Sequence, residues 1–228
     1  MRRWPAGLVP GATARRLQVA AYAAEWEQAN AEARAADGPL WVALGDSTAQ
    51  AVGTSARAHG YVLVVLALLR AQRDPAWRVV NLSRSGARIA DVLSDQLPAL
   101  ERLAGSSGPP ELVTCAVGVN DLLRTPAAKA AADLRELTRR LPPGALVANL
   151  PRGIRGARAE ALNAQLRADA ARRGLRVVDL WSHTGPPWDH KFSADHFHPN
   201  DLGYADWAAA FAEALGLRMP AGGSGAPP

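Results

Sequence analysis

Four polar clusters carry the residue types that nucleophilic acyl chemistry needs: Gly45-Asp46-Ser47, Ser85-Gly86, Gly118-Val119-Asn120-Asp121 and Asp195-His196-Phe197-His198-Pro199-Asn200. A serine hydroxyl is a poor nucleophile until a neighbouring base takes its proton. An imidazole titrates near neutral pH, so it can take that proton and later return it to a leaving alkoxide. His198 is the candidate base, and Asp195, three residues earlier, could hold its ring in one tautomer and stabilise it once charged. His196 is the rival base; the spacing from Asp195 and the following Pro199 favour His198. Each cluster also has a plainer reading. Ser47 and Asn120 could cap helices, Asp121 could start or cap the helix after it, and Asp46 could hold its turn through backbone N–H groups.

The elements that must position these residues follow from the apolar pattern. Leu40-Trp41-Val42-Ala43-Leu44 is a continuous apolar run, the mark of a parallel strand buried on both faces. It ends at Gly45-Asp46-Ser47, which predicts that Ser47 lies on a strand-to-helix turn with its N–H near a helix's positive end. Further strands are expected at 77–82, 111–117, 145–150 and 175–180. Helices are expected at 56–73, at 89–103 with Ile89, Val92, Leu93, Leu97 and Leu100 on one stripe, from Pro126 to 141, at 156–173 and from 202 to 215. An N-terminal helix at 13–36, free of Gly and Pro, should turn Leu17, Tyr22, Trp26 and Ala29 to one face and pack across the outside. The stretch 181–200 reads as a long Trp/His/Pro-rich loop. Strands alternating with helices make a parallel sheet in a three-layer α/β/α sandwich, with five strands in the flavodoxin-like order 2-1-3-4-5. Turns after parallel strands share one edge of such a sheet, so the clusters should converge there.

Composition bounds the rest. At 228 residues, 48% hydrophobic and 21% charged, residues 1–218 read as one folded domain with the helical extension at about 13–36, and 219–228 as a flexible tail. No apolar run approaches the roughly 20 residues of a membrane span. Met1-Arg2-Arg3-Trp4-Pro5 is not followed by a sustained apolar core, which predicts a cytoplasmic protein without an export signal. The net charge is +5, but the basic residues are nearly all Arg and scattered over the expected helices, so no nucleic-acid partner is expected. Cys115 is the single cysteine and sits in an apolar run, where a buried inert thiol is expected. His183, His190 and His196 crowd one loop with Asp189, yet no pair has the i, i+4 spacing of preformed helical ligands; no metal and no cofactor are expected. His59 lies outside the clusters and reads as structural.

Taken together, the four clusters resemble those of the SGNH hydrolases, the GDSL esterase/lipase family, named for Ser, Gly, Asn and His from four blocks in this order. The first block departs from the usual pattern as Gly-Asp-Ser-Thr, at a position that packs rather than reacts. The resemblance implies a Ser47–His198–Asp195 triad and an oxyanion hole formed by the backbone N–H groups of Ser47 and Gly86 and the amide of Asn120, while Asp46 is expected to hold the Ser47 turn rather than to react. It implies an acyl-enzyme on Ser47 and a small-molecule ester substrate. A side chain at position 86 is expected to crowd the oxyanion. Trp181, Trp188, Phe192 and Phe197 could line an acyl or leaving-group pocket, or could simply pack their loop down. No long insertion covers the crevice, which favours esters of short to medium acyl chains. A sugar O-acetyl esterase, a lysophospholipase or a thioesterase would use the same apparatus. A silent binding module of the same fold is the reading from another class, and the intact set of site residues argues against it.

Overall fold

The computed structural model describes residues 12–220. The expected tail at 219–228 lies almost wholly outside the described residues, as does the Met1-to-Pro5 start. Five strands form one sheet: β1 (Leu40–Gly45), β2 (Arg78–Asn81), β3 (Leu112–Ala116), β4 (Leu146–Ala148) and β5 (Arg176–Val178). All pairs are parallel, in the order β2-β1-β3-β4-β5, as expected.

Alternation along β1 makes the three layers. Successive side chains of a strand point to opposite faces, so Trp41 and Ala43 join one core and Leu40, Val42 and Leu44 the other. The first face is covered by α1 (Ala12–Ala35), α2 (Tyr61–Gln72) and α9 (Asp201–Leu215). The second is covered by α4 (Leu97–Ser107), α6 (Ala127–Arg140) and α7 (Gly156–Arg173). Cys115 lies wholly inside this second core, and burial pushes its thiol up to about 12.

Several boundaries differ from expectation for local reasons. No helix follows Ser47 directly. Residues 46–55 coil through turns in which Ala51 (φ 69°) and Gly53 (φ 106°) take left-handed backbone that a helix cannot use. A 3₁₀ turn at Arg57–His59 precedes α2, which begins only after Gly60. The expected helix at 89–103 is broken in register: α3 (Ile89–Asp91) runs into a π-turn at Val92–Gln96 and then α4. Two short helices went unforeseen, α5 (Val119–Arg124) and α8 (Leu180–His183), the latter inside the stretch read as loop. Pro126 precedes α6 rather than opening it.

On α1, Tyr22 and Trp26 are buried as expected, but Leu17 is 68% exposed. The helix rolls instead toward Asn30, which exchanges hydrogen bonds with the backbone of Asn81 at the end of β2 (2.7 and 2.8 Å).

Candidate active site

The segments after β1, β2, β3 and β5 meet at the carboxyl edge of the sheet, where open α/β sheets bind ligands. Ser47 stands two residues beyond β1. The end of that strand is latched from the π-turn: the Gln96 amide accepts from Gly45 N–H and donates to Gly45 C=O, both at 2.8 Å. Asp46 then sets the turn. Its Oδ1 accepts from the Thr48 N–H (2.9 Å) and the Thr48 hydroxyl (2.8 Å), the local capping that a short acidic side chain offers. Burial raises the Asp46 pKa above the ordinary carboxylate range, and the two Thr48 hydrogen bonds only partly oppose it.

His198 reaches this turn from the loop before α9. The Ser47 hydroxyl donates to His198 Nε2 at 2.9 Å, and His198 Nδ1 donates to Asp195 Oδ2 at 2.6 Å. The other oxygen of Asp195 accepts from the N–H groups of Phe197 and His198 and from the Ser193 hydroxyl, each at 2.9 Å. Burial by itself would raise the Asp195 pKa, but the hydrogen bonds from His198 and Phe197 and the charge of the ring outweigh it and hold it well below the ordinary range. An ionised Asp195 fixes the tautomer: Nδ1 carries the proton, and Nε2 has its lone pair turned to Ser47.

Asn200 pins the loop immediately after. Its Oδ1 caps α9 at the N–H groups of Leu202 and Gly203, and its amide N donates to the carbonyls of His190 and Phe192.

Asn120 lies in the first turn of α5 and is buried. Its amide N donates to Ala87 C=O at 3.1 Å and stands 3.5 Å from Asp46 Oδ2. Gly86 lies beside it in the turn after β2 with φ 79°, and a Cβ there would meet nothing within 4 Å. The left-handed backbone at 86 is a further reason for glycine there. Among the described residues, neither the Ser47 nor the Gly86 N–H donates a hydrogen bond. Asp121 lies in the first turn of α5, and its buried carboxylate accepts from the Ile89 N–H at the start of α3 and from the Thr125 hydroxyl (2.9 and 2.8 Å).

Ser47, Asn120 and His198 open onto a cavity of about 50 Å³ whose apolar wall includes Val119, Ile154, Trp188, Phe192, Phe197 and Trp207. Three of the four expected aromatics are thus brought to the cavity. Trp181 is not: half-buried, it packs against the second core, with Arg152 above its ring (5.4 Å to the centroid). Phe197 meets His198 edge-on (4.9 Å) and Trp188 stacks on Phe192 (6.0 Å). Trp207 was missed because it lies in the apolar pattern of α9 and reads as core. Gln96 left a signal, a polar residue inside the apolar stripe that begins at Ile89.

The remaining histidines disperse. His183 binds Asp179 C=O and Glu213, His190 sits by Asp189, and His59 by Asp201. Among the described residues no helix is long and apolar enough to cross a membrane.

Comparison with known proteins bears on the fold and the family. Curated protein sequences gave no match. Among solved structures the chain is similar to Axe2, an acetylxylan esterase from Geobacillus stearothermophilus, at 21% identity and TM-score 0.62 over 80% of this chain and 96% of that one. It is similar to TesA at 24% identity and TM-score 0.63, over 77% and 97%. It is also similar to a lipase/acylhydrolase from Enterococcus faecalis at 21% identity and TM-score 0.61, over 79% and 98%. At such identities the likeness speaks for the fold. Residues 43–205 match the model of the GDSL-like Lipase/Acylhydrolase family, a span that starts inside β1, ends inside α9 and holds all four polar clusters. The chain belongs to the GDSL-like lipase/acylhydrolase family.

Proposed function

We propose that the protein is a serine esterase that cleaves carboxylic esters of short to medium acyl chains through an acyl-enzyme on Ser47. The observation that carries this reading is the hydrogen-bonded chain Ser47–His198–Asp195, at 2.9 and 2.6 Å, at the mouth of an apolar cavity.

In the first half-reaction His198 Nε2 takes the Ser47 proton as Oγ bonds to the ester carbonyl carbon. Asp195 stabilises the imidazolium without taking its proton. The oxyanion would be met by the N–H groups of Ser47 and Gly86 and by the Asn120 amide. That amide is held by its bond to Ala87 C=O, and its nitrogen, now 3.5 Å from Asp46 Oδ2, would turn its other hydrogen to the oxyanion. Such donors act where charge develops, in a site from which water is largely excluded. Collapse expels the alkoxide, which takes the proton from His198. Water then attacks the acyl-enzyme with His198 as base again, releasing the acid and restoring Ser47. Asp46 has no part in proton transfer; it holds the Ser47 turn through Thr48.

The apolar wall beside Ser47 supports acyl groups of short to medium length, acetyl among them, whether on a simple alcohol or on a sugar. Nitrophenyl esters of increasing chain length, run beside Ser47→Ala, test this. Turnover should peak at short chains and vanish in the variant. A peak at long chains would contradict the acyl preference.

A further inference from the structure

Helix α1 precedes residue 43, where the match to the family begins, yet one face of it is spent on the active site. Arg15, Gln18, Tyr22 and Trp26 are spaced by three and four residues, so they share a face. Gln18 grips the turn that follows Ser47: its Oε1 accepts from Gly53 N–H (2.9 Å) and its Nε2 donates to Thr54 C=O (2.7 Å). Trp26 donates to Gln50 C=O (3.3 Å). One turn N-terminal to Gln18, the Arg15 guanidinium stands 3.4 Å from Asp195 Oδ2, the oxygen that also receives His198 Nδ1. The Asp195 side chain is almost fully buried there, whereas that of Arg15 is 35% exposed.

We infer that Arg15 is a positioning residue for the proposed reaction: its guanidinium braces the carboxylate of Asp195, and its charge sets the pH above which His198 can act as a base. The inference rests on the esterase reading and concerns the regulation of that same site.

The sign follows from the charges. Asp195 stabilises the protonated ring of His198. A cation on the same carboxylate oxygen opposes that stabilisation, so it favours the neutral, proton-accepting ring. Removing the cation lets the ring stay protonated to higher pH. The other groups facing the pair stay in place. They are Asp46 from the turn after β1, the buried phenol of Tyr204 from α9, the Ser193 hydroxyl on the loop itself, Lys191, paired with Asp206, and Arg152, these last three at the cavity wall.

The test is the pH profile of kcat/KM for Arg15→Met, Arg15→Lys and Arg15→Glu, with Arg16→Met as a control on the same helix and Ser47→Ala in the same assays. In Arg15→Met the acid limb should move up by roughly half a unit, the exposed side of the cation being screened. On the acid limb itself that is a loss of about threefold, with little change on the alkaline plateau. Arg15→Lys should restore the wild-type limb and Arg15→Glu should move it further up. A limb that stays in place or moves down in Arg15→Met overturns the inference, as does an even loss across all pH, which is what a purely structural brace would give. Turnover that persists in Ser47→Ala brings down the mechanism itself, a separate result, and the role of Arg15 with it.

Discussion

A Cβ placed on Gly53 would stand 2.8 Å from the Cβ of His198 and 2.3 Å from the carbonyl oxygen of Pro199. The backbone of the serine turn is thus pressed directly against the histidine loop, across 145 positions of sequence, by a residue whose φ of 106° already excludes most side chains. Gly53→Ala should move His198 off Ser47. We expect a loss of at least a hundredfold in kcat/KM with a lowered Tm. A variant of wild-type activity would show that the two loops are not so held.

Asn120→Ala removes one expected donor to the oxyanion while leaving the Ser47–His198 contact intact. One such donor is worth about 3 kcal/mol in the barrier, so kcat should fall roughly a hundredfold or more while KM changes little. Steady-state kinetics separates the two. A change confined to KM would place Asn120 in ground-state binding instead.

Asp46 predicts a pH dependence of stability. Burial raises its pKa in the folded protein, so its contribution is fully present below the ordinary carboxylate range and is lost as pH rises through the folded value. Asp46→Asn keeps an acceptor for Thr48 and removes the ionisation. Its Tm relative to the wild type should therefore improve as pH goes from 4 toward 7. Asp46→Ala, which also abandons the two Thr48 hydrogen bonds, should destabilise by about 1–3 kcal/mol. An Asn variant that loses ground as pH rises would contradict the raised pKa.

Trp188 stacks on Phe192 and lines the cavity. Trp188→Ala should enlarge the acyl site and raise the hexanoyl-to-acetyl ratio of kcat/KM by roughly tenfold. An unchanged ratio would assign Trp188 to packing.

Much of this was legible in the chain. The strand order followed from five apolar runs separated by helical patterns. The convergence of Ser47, Gly86, Asn120 and His198 followed from their placement after parallel strands. What stayed hidden depends on contacts made only in three dimensions. The small residues after Ser47 suit the start of a helix; the left-handed Ala51 and Gly53, which exclude one, go with packing against the start of α2 and the histidine loop. The π-turn lies where Gln96 reaches Gly45; a polar residue in the apolar stripe marks the place but not the change of register. Trp181 and Trp188 are equally aromatic in sequence, yet one packs against the second core and the other lines the cavity. Arg15 is one scattered arginine among many until the fold brings it to Asp195, 180 positions away.

The central claim is that Ser47 is the nucleophile. Intact-protein mass spectrometry after treatment with a fluorophosphonate probe, followed by peptide mapping, tests it most directly. A single adduct on the peptide carrying Ser47, absent in Ser47→Ala, with ester turnover falling in step with labelling, is the predicted result. An unlabelled Ser47 in protein that still hydrolyses esters, or a Ser47→Ala variant that turns over at the wild-type rate, would contradict it.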